Sequence, residues 1–333
     1  MKGPALKEHP VLQVRSETTT GAEGLVQSIG NTPLLELDLV AELAPGVRLF
    51  AKLEALNPGG SIKDRPVARM LTRALQEGKF ERGRRLLDSS SGNAGISYAM
   101  LGAALGIPVS IVVPGNASRE RLDRIAAHGA ELILTDPIKG YDFALLEAHR
   151  LANEFPDRYW YCDQYSNDDN WRAHYEGTGR EILAQLKTET GSLPDAFVAG
   201  VGTGGSITGV GRRLREANPE VHIAVVIPER FPGIEGLKPL GEPDDIVPAI
   251  LDEALIDQRI PITIEQAIAV CRRLTQRGLF VGPSSGAYVY GALQIAATGK
   301  YRTIVTLLND TGERYGSTGM WHDAAQQDTS NSS

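Results

Sequence analysis

Lys63 lies in the stretch Asn57-Pro58-Gly59-Gly60-Ser61-Ile62-Lys63-Asp64-Arg65. A loop opener (Asn-Pro, then Gly-Gly) runs into Ser61, a residue type that caps helices, and then into a run carrying Pro66, Ala68, Met70, Leu71 and Ala74. The pattern predicts a helix with Lys63 in its first turn. A cation there faces the partial positive charge of the helix N-terminus. That environment favours a neutral amine, able to act as a nucleophile or to form a Schiff base. The plain alternative is a solvated surface lysine. A Walker A phosphate loop is excluded, because Lys63 follows Ile62 and not the glycine that motif requires.

Two other stretches have the composition of anion sites. Gly202-Thr203-Gly204-Gly205-Ser206 falls between a strand pattern and a helix pattern, where a glycine loop exposes backbone N–H groups at a helix N-terminus. Gly200, Gly202 and Gly205 also fit the dinucleotide pattern G-x-G-x-x-G. The acidic residue that pattern needs at the end of the next strand comes late, at Glu229, and a plain tight turn is the third reading. Ser90-Ser91-Gly92-Asn93 again follows a strand and opens a helix. Its hydroxyl and N–H groups suit a substrate carboxylate, and they serve equally as an N-cap. Ser284, in Gly282-Pro283-Ser284-Ser285, reads on its own as a helix N-cap, and Gln164 as a surface glutamine. Cys162 reads as buried filler, since no histidine is placed to activate it. The six histidines are scattered without H-E-x-x-H spacing, so no metal site is expected.

The elements that must position these residues alternate. Strands are predicted at 34–39, 47–53, 86–87, 109–113, 132–134, 159–161, 196–199, 223–227 and 303–308. Helices are predicted at 94–105, 118–129, 141–154, 171–186, 207–217, 264–277 and 285–297. Such βαβ alternation implies α/β architecture, a parallel sheet with helices on both faces. Residues 228–261, rich in Pro, Gly and acid, read as an irregular functional region. The first twenty or so residues read as an arm that packs on a partner subunit, and 326–333 as a disordered tail.

With 333 residues, 42% hydrophobic and 23% charged, the chain has globular composition for two α/β units. A net charge of −7 argues against nucleic-acid binding. Two cysteines cannot form a disulfide framework, and the N-terminus lacks a signal-peptide core, so a cytoplasmic location is expected. The apolar stretch near 99–113 is broken by Gly106 and Pro108 and reads as helix then strand, not a membrane span.

Taken together and in order, these stretches resemble the cysteine synthase/cystathionine β-synthase family of fold-type II pyridoxal phosphate (PLP) enzymes, closest in look to the cysteine synthase B-like branch. The resemblance also rests on Gly30-Asn31-Thr32-Pro33-Leu34, Gln164-Tyr165-Ser166-Asn167, Pro283-Ser284-Ser285-Gly286-Ala287 and Asp310-Thr311-Gly312-Glu313-Arg314-Tyr315, and covers nearly the whole chain. It implies two doubly wound α/β domains with PLP in the cleft between them. The smaller, mobile domain would be 48–165, and the larger, phosphate-binding one 1–47 plus 166–325.

By this resemblance Lys63 is the catalytic lysine that carries PLP. Gly202, Thr203, Gly204, Gly205 and Ser206 cradle its phosphate, Asn93 sits beside its ring oxygen, and Ser284 faces its ring nitrogen. Ser90, Ser91, Gly92, Asn93 and Gln164 bind the substrate carboxylate. Arg230, with Lys238 second, is the candidate for a phosphate carried by the donor. The family usually has Thr where Ser90 and Ala94 stand, and Ala94 keeps no hydroxyl. The implied reaction is β-replacement through an α-aminoacrylate, making L-cysteine from O-acetylserine or O-phosphoserine and a sulfur donor. Alternatives are a sister enzyme with a homocysteine or nitrogen nucleophile (cystathionine β-synthase or diaminopropionate type), a serine/threonine dehydratase, or a binding or regulatory homologue without turnover. A homodimer is implied, and a sulfur-carrier protein is a partner the resemblance admits.

Overall fold

The computed structural model describes residues 21–321, apart from 42, 91, 243 and 244. The expected arm and tail therefore lie outside the described residues, as does Ser91. The described chain forms ten strands: β1 (Leu34–Leu37), β2 (Arg48–Leu53), β3 (Arg85–Ser89), β4 (Val109–Pro114), β5 (Glu131–Thr135), β6 (Tyr159–Tyr161), β7 (Ala196–Gly200), β8 (His222–Pro228), β9 (Gln258–Ile262) and β10 (Thr303–Leu308). They make a six-stranded sheet in the order β1-β2-β10-β7-β8-β9 and a four-stranded sheet in the order β5-β4-β3-β6. The α/β class is as the alternation implies.

Each sheet is buried on both faces, so its central strands are almost wholly β-branched or apolar. In the four-stranded sheet the two-residue period sorts side chains cleanly. Leu86, Ile111 and Val113 face a core shared with Val67, Met70 and Leu71 of helix Asp64–Gln76. Leu87 and Val112 face Ala144 and Ala148 of helix Gly140–Glu154 on the other side. Phe50, Phe197, Val225 and Val305 belong to the core of the six-stranded sheet.

Five features depart from the sequence reading. First, β1 pairs antiparallel with β2, so the larger sheet is mixed. Second, β2 pairs with β10 in that larger sheet, so a boundary at 48 cuts through it, and the strands of the smaller sheet begin after Leu53. Third, the irregular region ends in a strand, β9. Pro261 masks it in the sequence, but β9 is the sheet's edge, where a missing N–H is tolerated. Its Ile260 and Ile262 alternate inward. Fourth, the helix expected over 171–186 is Asp168–Ala173, a π turn at His174–Gly179, then Arg180–Thr190. At the π turn a side chain on Gly179 would meet Arg213 Cβ at 2.8 Å. Fifth, a short helix at Gly21–Gln27 was not anticipated. Among the described residues, no helix is long and apolar enough to cross a membrane.

Candidate active site

The loops after β3, β6, β7, β8 and β10 leave the C-terminal ends of their strands, where open parallel sheets form ligand crevices. They surround one cleft of about 450 Å³. Lys63 lies at its wall, one residue ahead of helix Asp64–Gln76 and not inside its first turn. Asp64 ties the loop down. Its carboxylate accepts from Gly59 N at 2.5 Å and from Ser97 Oγ. Gly59 must be glycine for this, because a side chain would meet Asp64 Oδ2 at 2.7 Å. The Lys63 amine makes no hydrogen bond or ion pair among the described residues. Burial pushes its pKa down, and the charge of Asp310 partly restores it. The amine is thus biased toward the neutral, nucleophilic form.

Opposite, the 202–206 loop carries β7 into helix Gly205–Ala217. Gly202, Thr203, Gly204 and Ser206 line the cleft, while Gly205 is buried behind them. Backbone approach is close throughout. A side chain on Gly202 would meet Gly236 O at 2.6 Å, and one on Gly205 would run into Asn170 Oδ1. Gly204 has φ +85°, a left-handed conformation suited to glycine. Asn170 Nδ2 also donates to Thr203 Oγ1 at 3.0 Å, fixing the loop from beneath. The first N–H groups of the helix have no intrahelical acceptors.

Ser90, Gly92, Asn93 and Gln164 all reach the cleft. Ser90 Oγ accepts from Gly92 N at 3.2 Å and Gly95 N at 2.9 Å, so it caps helix Asn93–Leu105 and keeps its own proton free to donate. Gln164 Nε2 donates to Ser89 O at 2.9 Å. Ala94 lines the wall and brings no hydroxyl. Ser284, in the first turn of helix Pro283–Ala297, accepts from Asn309 Nδ2 at 3.1 Å and faces the cleft. Asn309 Oδ1 beside it is buried and unpartnered.

Arg230 is not brought to this cleft. It is exposed and pairs with Asp245 at 2.7 Å. Lys238 does line it, 3.3 Å from Asp142.

Several residues reach the site that sequence reasoning gave no role. Asn93 is gripped on both sides: Arg314 donates to its Oδ1, and its Nδ2 donates to Asp310 Oδ2 at 2.7 Å. Tyr315 OH donates to the same carboxylate oxygen at 2.7 Å. Arg314 also donates to Gly59 O, joining the wall of Asn93 to the Lys63 loop. The only signal for this cluster was the quoted stretch 310–315. Arg121 and Glu235 face the cleft as an ion pair and have no local signature at all.

Residues 25–310 match the family model described as pyridoxal-phosphate dependent enzyme. The cysteine synthase of Aquifex aeolicus is 43% identical over 309 residues, covering 90% of this chain and 93% of that one. The crystal structure of a cysteine synthase from Entamoeba histolytica superposes with a TM-score of 0.84 at 32% identity, covering 95% of each chain. That of an O-ureido-L-serine synthase gives 0.82 at 33% identity, covering 95% of this chain and all of the other.

Proposed function

Because the chain belongs to the pyridoxal-phosphate dependent enzyme family, with the fold-type II arrangement, we propose that it makes L-cysteine by β-replacement on an O-activated L-serine. The observation that carries this reading is the meeting of Lys63, Asn93, the 202–206 loop and Ser284 around one cleft in a chain so similar to cysteine synthases.

The residues present fit the cofactor. Three close-packed glycines and a helix N-terminus form a cradle of N–H donors for a phosphate. Asn309 Oδ1 is a buried acceptor in want of a donor, and Ser284 Oγ, a neutral hydroxyl, faces the same space. Lys63 would hold the aldehyde, the loop the phosphate, Asn93 the ring oxygen and Ser284 the ring nitrogen. When bound, PLP supplies an aldehyde that combines with amines and a ring that draws electron density from the substrate's α-carbon.

The chain's own residues then divide the work. Ser90, Gly92 and Gln164 orient the substrate carboxylate; Ser91 belongs to the same expectation but lies outside the described residues. Lys63 Nζ, its pKa lowered by burial, takes the α-proton as general base. Asn93 has one amide proton committed to Asp310 and a second free for the cleft. Ser284 offers a hydroxyl where a carboxylate would keep the ring nitrogen protonated, a choice that favours expulsion of the β-substituent. The walls limit the entry of water during the exchange.

The test is direct: purified protein with cofactor, O-acetyl-L-serine and sulfide should yield L-cysteine, measured by mass spectrometry. Cystathionine formed from homocysteine, or pyruvate and ammonia alone, with no cysteine from sulfide, would overturn the assignment in favour of a sister enzyme or a dehydratase. The O-ureido-L-serine synthase similarity is why other nucleophiles belong in that panel. The reading extends to a cytoplasmic homodimer, measurable by light scattering, fed by small sulfur donors or by a sulfur-carrier protein.

A further inference from the structure

At the wall of the cleft, Arg121 and Glu235 form an ion pair between the two halves of the molecule. Arg121 comes from helix Arg119–Ala127, beside the four-stranded sheet, and Glu235 from the loop after β8 of the six-stranded sheet. Arg121 is only 2% exposed, whereas Glu235 keeps about a third of its side chain accessible. The guanidinium also lies over the Tyr315 ring, 4.8 Å from its centre, and its Nε is buried without a partner.

The pair stands beside the loop assigned above to the substrate carboxylate. A side-chain carbon placed on Gly92 would be 3.6 Å from Arg121 Nε and 3.6 Å from Glu235 Oε1. Among the described residues, Arg121 is the arginine that lines the cleft. The other cations there are Lys63, Lys139 and Lys238. Lys139 stacks on the Phe143 ring at 4.3 Å, and Lys238 faces Asp142.

We propose that the Arg121–Glu235 pair sets donor specificity: Glu235 neutralises the arginine beside the Ser90–Asn93 loop, so that the cleft accepts L-serine donors with an uncharged β-substituent, such as O-acetyl-L-serine, and turns away anionic ones, such as O-phospho-L-serine. This rests on the function proposed above and names its substrate class. A phosphate entering here would meet a carboxylate at contact range, and the arginine that lines the cleft already has its Nη1 committed to that carboxylate. An acetyl ester carries no charge to be repelled. Glu235 thus acts as negative selection built into the site.

Glu235→Gln removes the charge and leaves an oxygen for Arg121, so the buried guanidinium keeps an acceptor. In this variant kcat/KM for O-phospho-L-serine relative to O-acetyl-L-serine should rise about ten- to a hundredfold, the range of one charge-assisted hydrogen bond. Inorganic phosphate, titrated calorimetrically into the holoenzyme, should bind more tightly by a similar factor. An unchanged donor ratio together with unchanged phosphate affinity in the folded variant would overturn the proposal and leave the pair as a structural tie. So would a wild type that already prefers O-phospho-L-serine, which would leave the proposed function standing. A wild type that makes cysteine from neither donor defeats the function itself, and the phosphate titration then decides the role of the pair.

Discussion

Asn93 shows how little freedom single residues have in this cleft. Its amide is held between a guanidinium and a carboxylate, and the carboxylate, Asp310, also accepts from Tyr315. Asp310 acts on Lys63 as well, because its charge raises the pKa that burial lowers. Asp310→Asn should therefore have two effects. It loosens Asn93, and kcat/KM should fall about ten- to a hundredfold for the loss of charge-assisted bonds. It also withdraws the negative charge that supports the ammonium form of Lys63, so the acid limb of the kcat–pH profile should move to lower pH. A drop in rate with an unmoved profile would separate Asp310 from the lysine. At this scale the sequence was legible where a residue sits at a loop-to-helix junction. Lys63, Asn93, Ser284 and the 202–206 loop are all flagged by Gly, Pro, Ser or Asn beside a periodic run. Residues such as Arg121 and Glu235, 114 positions apart, meet only through the fold, and no local pattern announces them.

Strand β3 illustrates the element scale. It delivers Ser90 to Asn93 to the cleft, and its Asp88 is fully buried. That carboxylate accepts from Ser89 N at 2.7 Å and Tyr98 OH at 2.6 Å, yet burial pushes its pKa up to about 7, the hydrogen bonds opposing. Its folded pKa lies above the unfolded value of 3.8, so its contribution to stability is fully present below that value and is lost as pH rises through about 7. Asp88→Asn removes the titration. Urea midpoints at pH 5 and pH 8 should show the variant gaining on the wild type by on the order of 2 kcal/mol between the two. A constant difference would mean that Asp88 does not titrate there. Most elements were readable because β-formers and helical spacing coincide with them. Pro261 hid an edge strand, and the π turn hid inside a helical pattern, where the sequence has no local mark for it; Gly179 within it packs closely on Arg213.

At the scale of the whole molecule, two sheets with separate cores face one cleft, and charged side chains from each half meet across it: Arg121 with Glu235, and Asp142 with Lys238. The strand alternation made two α/β units legible. That β2 belongs to the six-stranded sheet was not, because a strand carries no mark of which sheet it joins; only pairing with β10, some 250 residues on, decides it. The same long-range closure brings the 57–65 loop against Asp310 and Arg314, which makes Lys63 the point where the two halves converge. The decisive measurement is borohydride reduction of the purified holoenzyme followed by peptide mapping. The account predicts the phosphopyridoxyl mass on the peptide containing Lys63, with no such label in Lys63→Ala. Label on Lys52, which is buried against Glu181, or on any other lysine, would contradict it.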